Sequence, residues 1–450
     1  MDLQVVTSKR GKQVILYSGY RFNLKSTNKN NTIRWICANR TCPGAIITDN
    51  APASVIQSKQ HTCVPDVAKN EVELCIQKAK KRAREELTPV PQIYRQELVT
   101  ARNMGLDFVT QIPELTSIKT SLYRERHNSL GVKFLPKSRE QVIIPESIKE
   151  NLIVDDGNEE RILAFGYKLD SLLAGNTTFF LDGTFKSCCP LFDQLYTLHV
   201  DIGSTEERTC IVPAIYALLP NRKKSTYKRL FSCLKKQLKS FHPYKIHIDF
   251  EAAAISAVKE EFVTADVKGC NFHFNQALWR KVQQLGMTQA YRDNKEIRDH
   301  VKMVAALAHV PIEYVSEGWL SIMESTPQDE ALTEFYDYFV DSWMDKEEIW
   351  VCSGERHRTT NSVEGWHNRF NKKIGKSHPN IYELLKGLQE EMLFYDTIYE
   401  RNNVHMQVPK RAKKYSERDH RLETIIADLT AGRATISQTL RKLVYIVNFV

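Results

Sequence analysis

The first third of the chain has short runs of hydrophobic and polar residues, separated by turn-forming clusters of Asn, Gly and Pro. Their β-branched and aromatic content is typical of strands. The runs are QVILYSGYRFNL, TIRWICA, GAIITD and ASVIQ. We therefore predict a small β domain over residues 5–63.

From residue 66 the hydrophobic positions take the helical spacing. The second and third segments open near a Pro and close near a Gly, as helices often do. The segments are VELCIQKAKKRAREEL, PQIYRQELVTARNMG and PELTSIKTSLYRERHNSLG. We predict a basic helical region over residues 66–130, followed by a linker over residues 131–160 that ends in an edge segment.

A third pattern begins at residue 161, where strand-like and helix-like segments alternate. The strand-like segments are TTFFLDGTF, LFDQLYTLHVDIG, TCIVPAIYALLP, YKIHIDF and DVKGCNFHF. The order β-β-β-α-β-α-β-α predicts an α/β domain over residues 161–375, with a mixed sheet and helices on its faces. Residues from about 276 to 355 read as an all-α insertion, and residues 376–450 as a helical C-terminal region.

The basic charge is concentrated at the N-terminal end of the chain. Residues 1–150 hold 24 Lys and Arg against 14 Asp and Glu, whereas residues 151–450 hold 39 against 40. A local positive field suits a polyanion, most often nucleic acid; a merely soluble basic surface is the alternative. The residues expected to contact phosphates are Lys78, Lys80, Lys81, Arg82 and Arg84. The same cluster fits a nuclear import signal, so we expect the nucleus.

Other bulk features narrow the class of protein. No run of about 18 apolar residues exists, so we expect no membrane span. The first residues, MDLQVVTSKRGKQ, are too polar for a secretory signal. The 10 cysteines are irregularly spaced and do not form the pattern of a disulfide framework. We expect a reducing, intracellular compartment, where clustered Cys and His are candidate metal ligands.

Two close pairs of such residues lie in the predicted β domain. Four residues separate Cys37 from Cys42, one separates His61 from Cys63, and eighteen lie between the pairs. Each pair supplies one edge of the tetrahedron that zinc prefers, and a domain of this size has a marginal core that a metal would stabilise. The spacing predicts a structural zinc site; free cysteines and an ordinary histidine are the alternative.

The aromatic residues around these ligands add a family resemblance. The ordered set is Leu16, Gly19, Tyr20, Phe22, Trp35, Cys37, Cys42 and His61. It resembles the FLYWCH zinc finger, which implies a zinc-bound β fold that often binds DNA or protein. Two features depart from the family: the last ligand is Cys63 where the family usually has His, and the leading Phe falls near Val5 or Val6.

Three carboxylates stand out in the α/β domain. Asp182 ends one predicted strand, and Asp249 directly follows KIHI of another. Taken singly, each of these residues could simply cap a turn or a helix. Glu364 lies near the start of a helix, where it forms either a capping box with Asn361 or part of a polar stripe. Glu251, two residues after Asp249, is an alternative ligand.

Such a set of carboxylates has a recognised chemistry. Two strand carboxylates and one from a later helix suit two hard cations such as Mg²⁺ or Mn²⁺. Two ions about 3.5–4 Å apart stabilise the attacking and leaving oxygens of a phosphoryl displacement. This is the chemistry of nucleases and transposases.

Four ordered motifs resemble the Mutator-like (MULE) transposases. They are FFLDGTFK, IHIDFEAAAISAVKEEF, GCNFHFNQALWRKVQ and TTNSVEGWHNRFN. The resemblance implies an RNase H-like core with a helical insertion and a DDE triad of Asp182, Asp249 and Glu364. It also implies a C-x2-H motif, here Cys270 and His273, for which packing or substrate positioning is a simpler role than zinc binding.

We therefore expect a DNA transposase, or a protein derived from one, that cleaves and joins double-stranded DNA. The resemblance implies an oligomer if the protein is active, because two DNA ends are joined. We expect no membrane and no small-molecule cofactor. The rival hypothesis is a non-catalytic DNA-binding or chromatin protein that keeps the fold, and a weaker one is a zinc-dependent protein-interaction module.

Overall fold

The computed structural model describes residues 3–8, 11–103, 109–129, 134–157, 159–405, 412–447 and 449. The chain divides into an N-terminal unit, residues 1–135, and a C-terminal unit, residues 136–450. Within the described residues, no helix combines the length and the apolar composition that crossing a bilayer requires.

The N-terminal unit begins with a six-stranded antiparallel sheet in which each strand pairs with the next along the chain. The strands are β1 (Gln4–Thr7), β2 (Gln13–Tyr17), β3 (Tyr20–Thr27), β4 (Ile33–Cys37), β5 (Ala45–Thr48) and β6 (Val55–Lys59). Its main core is small: Ile15, Phe22, Ile33, Trp35 and Ile46. The predicted N-terminal β domain is therefore present.

In the described part of this unit, three helices follow: α1 (Val67–Glu85), α2 (Val90–Arg102) and α3 (Leu115–Ser129). They pack around a small core that contains Ala83, Ile93 and Leu122. The buried Arg126 guanidinium donates hydrogen bonds to backbone carbonyls of Ala83, Glu86 and Thr88, which joins α3 to the end of α1.

The C-terminal unit contains a seven-stranded mixed sheet. Its strands are β7 (Leu152–Asp156), β8 (Ile162–Gly166), β9 (Thr178–Thr184), β10 (Gln194–Asp201), β11 (Ile211–Leu219), β12 (Lys245–Ile248) and β13 (Asp266–Gly269). The spatial order is β13-β12-β9-β10-β11-β8-β7. Strand β12 runs parallel to β9 and β13, and the other neighbours are antiparallel.

The sheet has two strands more than the sequence pattern predicted. Strand β8, ILAFG, is buried at every position, so it lacks the alternation that marks a half-exposed strand. Strand β7 corresponds to the edge segment expected at the end of the linker over residues 131–160, and it pairs with β8 at the sheet edge. The remaining order, three antiparallel strands followed by alternating helices and strands, is as predicted.

Helices cover the two faces of this sheet. The shorter helices before the insertion are α4 (Glu146–Lys149), α5 (Leu169–Leu173), α6 (Lys224–Gln237) and α7 (Ala252–Glu261). Helices α6 and α7 pack on the face that presents Phe179 and Leu181 of β9. Because side chains alternate along a strand, Phe180 and Asp182 lie on the opposite face. Helices α14 (Asn361–Ile374) and α15 (Ile381–His405) contact the sheet as well.

A helical subregion stands between β13 and α14, as predicted. Its helices are α8 (Asn271–Gln284), α9 (Thr288–Asp293), α10 (Lys295–Ala306), α11 (Val315–Glu324), α12 (Glu330–Trp343) and α13 (Glu347–Trp350), with short 3₁₀ turns at Leu307–His309, Ile312–Tyr314 and Met344–Lys346. The last helices, α16 (Lys413–Thr430) and α17 (Ile436–Leu443), share its core through residues such as Leu429 and Leu440. The C-terminal end of the chain therefore completes the inserted helical subregion.

Candidate functional site

The four predicted ligands in the N-terminal unit form one cluster. Cys37 ends β4, Cys42 lies in the next loop, and His61 and Cys63 follow β6. The sulfurs of Cys37 and Cys63 are 3.6 Å apart, and His61 Nδ1 lies 3.4 Å from Cys42 Sγ and 3.6 Å from Cys63 Sγ. A zinc–sulfur bond of about 2.3 Å gives a tetrahedron edge of about 3.8 Å, so the four atoms are spaced as zinc ligands.

The surroundings of the cluster hold the His61 ring in place. Tyr20 stacks on it with ring centroids 3.6 Å apart, and Phe22 meets it edge-on. A Cβ atom at position 44 would come within 2.4 Å of the ring, so only Gly44 fits there. These aromatic residues and this glycine keep the imidazole aimed at the three sulfurs.

The cluster also favours a thiolate. Although desolvation raises the pKa of Cys42, hydrogen bonds from the backbone N–H groups of Gly44 and Thr62, each 3.4 Å from Sγ, lower it to about 5. Since the thiolate is the form that binds metal, Cys42 is prepared as a ligand. The residues fit structural zinc.

In the C-terminal unit, two carboxylates lie on neighbouring parallel strands. Asp182 is a buried residue of β9, and Asp249 directly follows β12. The pairing places Ile248 opposite Leu181, so one further step sets Asp249 beside Asp182. Asp182 belongs to the sheet face away from α6 and α7. Asp249, just beyond β12, is close enough for the charge of Asp182 to raise its pKa.

Glu364 approaches the same face from the first turn of α14. Val363, Trp366, Phe370 and Ile374 of this helix are buried, and their spacing is that of one helix face. The capping-box alternative is wrong: the N-cap is Thr360, it makes no side-chain capping bond, and Asn361 is already helical. The Glu364 side chain is therefore not a helix cap.

Cys270 and His273 lie next to Glu364. Cys270 is the N-cap of α8 and His273 is in its first turn. His273 Nε2 is 3.5 Å from Glu364 Oε1, and ligand atoms of all three side chains lie within 4.8 Å of one another. Burial alone lowers the pKa of His273. The effects of Cys270 and of the charges of Asp182 and Glu364 outweigh burial, so the pKa is raised to about 9.

Burial and neighbouring negative charge raise the pKa values of two of these carboxyl groups. Burial, with the charges of Asp182 and Glu251, raises the pKa of Asp249 to about 6. Burial and the charge of Asp182 also raise the pKa of Glu364, against the lowering effect of His273. Buried like charges of this kind are relieved by a bound cation.

His367 belongs to this site although sequence analysis gave it no role. Its Nδ1 lies 3.4 Å from Asp182 Oδ2, and its Nε2 lies 3.2 Å from Thr197 Oγ1. The Thr197 hydroxyl also donates to the backbone carbonyl of Asp182 at 3.2 Å. The signal was its position three residues after Glu364, on the same polar face of α14.

A cleft of about 780 Å³ opens beside Asp249. Its lining includes Phe185, Arg222, Asp249, Glu251, His273 and Arg280. Glu251 accepts a hydrogen bond of 3.0 Å from the Tyr227 hydroxyl, so this carboxylate already has a protein partner. The cleft combines carboxylates with two arginines, a mixture suited to metal ions and phosphates together.

The five basic residues proposed for DNA contact all lie on α1, in two different settings. Lys78, Lys81 and Arg84 are exposed. Arg82 is ion-paired with Glu86 at 2.6 Å and with Glu97 at 2.8 Å. Arg82 therefore stabilises the helical part of its unit. Lys78 and Lys81 face solvent, and the exposed Arg84 lies 3.7 Å from Glu125 of α3.

Comparison with known families finds two domains in the chain. The FLYWCH zinc finger domain matches residues 5–62, and the MULE transposase domain matches residues 178–277. No curated protein matches the chain. The chain thus combines a metal-binding finger with a transposase domain. The two matched domains support a transposase or a protein derived from one, and the FLYWCH match together with the Cys/His cluster supports a structural zinc site.

Proposed function

We propose that the C-terminal unit is an RNase H-like nuclease core that cleaves and joins DNA through a DDE triad of Asp182, Asp249 and Glu364. The observation that carries this proposal is the pair of carboxylates on adjacent parallel strands β9 and β12, with a third carboxylate on α14 over the same sheet face. The strand order β13-β12-β9-β10-β11 supports it. Strands β9 and β12, the first and fourth of the five predicted strands, are neighbours in the interior of the sheet.

The donor set suits hard divalent cations. Asp182, Asp249 and Glu364 would hold Mg²⁺ or Mn²⁺, which supplies charge neutralisation and activates the attacking oxygen in phosphoryl transfer. The raised pKa values of Asp249 and Glu364, caused by burial and then by the neighbouring charge of Asp182, are consistent with this fit. Arg222 and Arg280 in the cleft would bind phosphates of the DNA backbone.

DNA recognition is assigned to the N-terminal unit. The zinc finger would contact the duplex, and the exposed Lys78, Lys81 and Arg84 on α1, with Lys80, would contact phosphates. The basic excess of residues 1–150 supports this division of labour. Both family domains are consistent with a DNA-binding protein in the nucleus.

Cleavage by the full chain of a duplex carrying the terminal sequences of its own element tests the proposal. Asp249→Asn removes one charge with little change of shape, so Mg²⁺- or Mn²⁺-dependent cleavage should fall by roughly a thousandfold or more while duplex binding persists. The matched control is Glu251→Gln, in the same cleft, which should keep most activity because Glu251 is bonded to Tyr227. If both variants lost cleavage equally, the metal ligand would be Glu251, or Asp249 and Glu251 together.

A second function, DNA binding without catalysis, is favoured by one observation. Among the described residues, Glu364 groups with Cys270 and His273 at metal-ligand distance, whereas the three carboxylates do not form such a group. An unaltered protein that binds its terminal sequences but never cleaves them in Mg²⁺ or Mn²⁺ would establish this function instead.

A further inference from the structure

The side chains of Cys270, His273 and Glu364 converge although 94 positions separate the first from the last. Their ligand atoms lie within 4.8 Å of one another, a spacing found in one other group of described residues, the Cys37, Cys42, His61 and Cys63 cluster. We propose that Cys270, His273 and Glu364 form a second zinc site, in the C-terminal unit.

The backbone fixes this convergence. The Cys270 N–H donates to the carbonyl of Ile248 at the end of β12, and the Asn271 N–H donates to the carbonyl of Arg358. The backbone N–H and the hydroxyl of Thr360, the N-cap of α14, both donate to Cys270 Sγ, at 3.3 and 3.2 Å. These bonds hold the first turns of α8 and α14 together, so the three ligands are positioned before any ion arrives.

Two polar atoms in the cluster make no hydrogen bond. His273 Nδ1 and Glu364 Oε1 are both buried and have no hydrogen-bond partner among the described residues, and the nearest group to Glu364 Oε1 that the cluster offers is His273 Nε2 at 3.5 Å. Leaving buried polar atoms without a hydrogen bond costs free energy. A cation bound between the imidazole, the carboxylate and the thiolate would remove this cost.

The ligand types select the metal. Mg²⁺ requires oxygen ligands, and a sulfur and a nitrogen among three donors exclude it as the preferred ion. Sulfur, nitrogen and carboxylate oxygen together are ligands of zinc, and three protein ligands leave its fourth position open to water or substrate. The site shares Glu364 with the proposed triad, but zinc binding does not depend on cleavage.

The first test counts zinc in the purified full chain by mass spectrometry. We expect two zinc ions per chain, falling to one in Cys270→Ser and in His273→Gln. The matched control Cys233→Ser, a half-buried cysteine on α6 outside both clusters, should keep two. One ion in the unaltered chain, or two that persist in both Cys270→Ser and His273→Gln, would overturn the second site.

A second measurement needs no substitution. The N-terminal cluster supplies three sulfurs and the second site one. Zinc X-ray absorption of the unaltered chain should therefore give a mean of two sulfur ligands per ion when both sites are filled; a mean of three would contradict the proposal.

Asp249→Asn separates this proposal from the nuclease function, because it should lose cleavage and keep both zinc ions. If every preparation held two zinc ions but showed no cleavage, only the nuclease function would be rejected, and not the second zinc site.

Discussion

The two metal-ligand clusters of this chain are built in different ways. The ligands of the N-terminal cluster lie within residues 37–63, on one small sheet and its loops. The candidate ligands of the C-terminal unit lie between residues 182 and 364, at strands β9 and β12 and at the starts of helices α8 and α14. The first cluster is a local structure that a metal stabilises, whereas the second depends on the tertiary packing of a large unit.

This difference predicts opposite responses to metal removal. The sheet of the N-terminal unit has a main core of only five buried hydrophobic residues, so little besides zinc stabilises it. The C-terminal unit has two much larger cores. Losing a metal should therefore unfold the first region locally and leave the second folded but altered in its chemistry.

The largest effect should follow Cys42→Ser. Structural zinc contributes on the order of 10 kcal/mol to small zinc domains, so this variant should lose the zinc of its cluster and the fold of β4–β6. Hydrogen exchange measured by mass spectrometry on the full chain should show peptides from residues 33–59 losing protection. Cys75→Ser on α1, in the same unit but outside the cluster, is the control and should keep both. A Cys42→Ser chain with normal protection there would mean that the finger folds without its metal.

A smaller effect is expected from His367→Asn, which tests positioning in the C-terminal unit. The His367 ring lies between Asp182 and Thr197, so its loss frees the Asp182 carboxylate to turn. Residues that orient a metal ligand typically contribute ten- to a hundredfold. We expect cleavage to fall by about that factor and the Mg²⁺ concentration for half-maximal cleavage to rise.

The histidine control for this prediction is His378→Asn. His378 is exposed and contacts the backbone carbonyl of Cys188, outside the carboxylate cluster. Its cleavage and magnesium dependence should match those of the unaltered protein. If His367→Asn lowered thermal stability but left the magnesium dependence unchanged, the role of His367 would be packing alone.

The same contrast explains what could be predicted from the sequence. All four finger ligands were identified from spacing, because ligands that are close in sequence and separated by short strands have few ways to be far apart in space. The order of five strands along the chain followed from β-branched and aromatic runs, but β8 was missed because an apolar run of only five residues does not distinguish a strand from a buried helix. The convergence of Cys270 and His273 with Glu364 is a tertiary contact, and no local pattern encodes it.

The choice between a cap and a polar stripe at Glu364 also needed the structure. Asn361 and Glu364 have the capping-box spacing, but the helix begins one residue earlier, with Thr360 as its N-cap. Thr360 donates its hydroxyl to Cys270 Sγ instead of accepting a capping bond. A contact between residues 90 positions apart therefore decided the role of a local motif.

The smallest effect concerns the segment that leads into α14. His357 Nε2 lies 2.7 Å from Asp201 Oδ2 at the end of β10, and both side chains are nearly buried. Burial raises the pKa of Asp201, but the bonds from His357 and Ser204 lower it more, so its pKa is below the ordinary value. The unfolded carboxyl therefore binds a proton more readily than the folded one. The stabilisation is present above the unfolded pKa of about 3.9 and is lost as the pH falls through the folded value.

Asp201→Asn should remove this dependence. At pH 7 it should lower the free energy of unfolding of the C-terminal unit by about 1–3 kcal/mol, the usual range for a lost hydrogen bond to a charged group. The difference from the unaltered protein should shrink as the pH is lowered below about 4. Urea unfolding followed by tryptophan fluorescence measures it, since five of the six tryptophans belong to this unit. The exposed Glu260→Gln, which removes a surface ion pair with Lys224 and Lys228, should change little. If Asp201→Asn lowered the free energy of unfolding by the same amount at every pH, the carboxylate would stabilise the segment through its shape and not through its charge. The approach of Glu364 to the sheet would then depend on the packing of α14 alone.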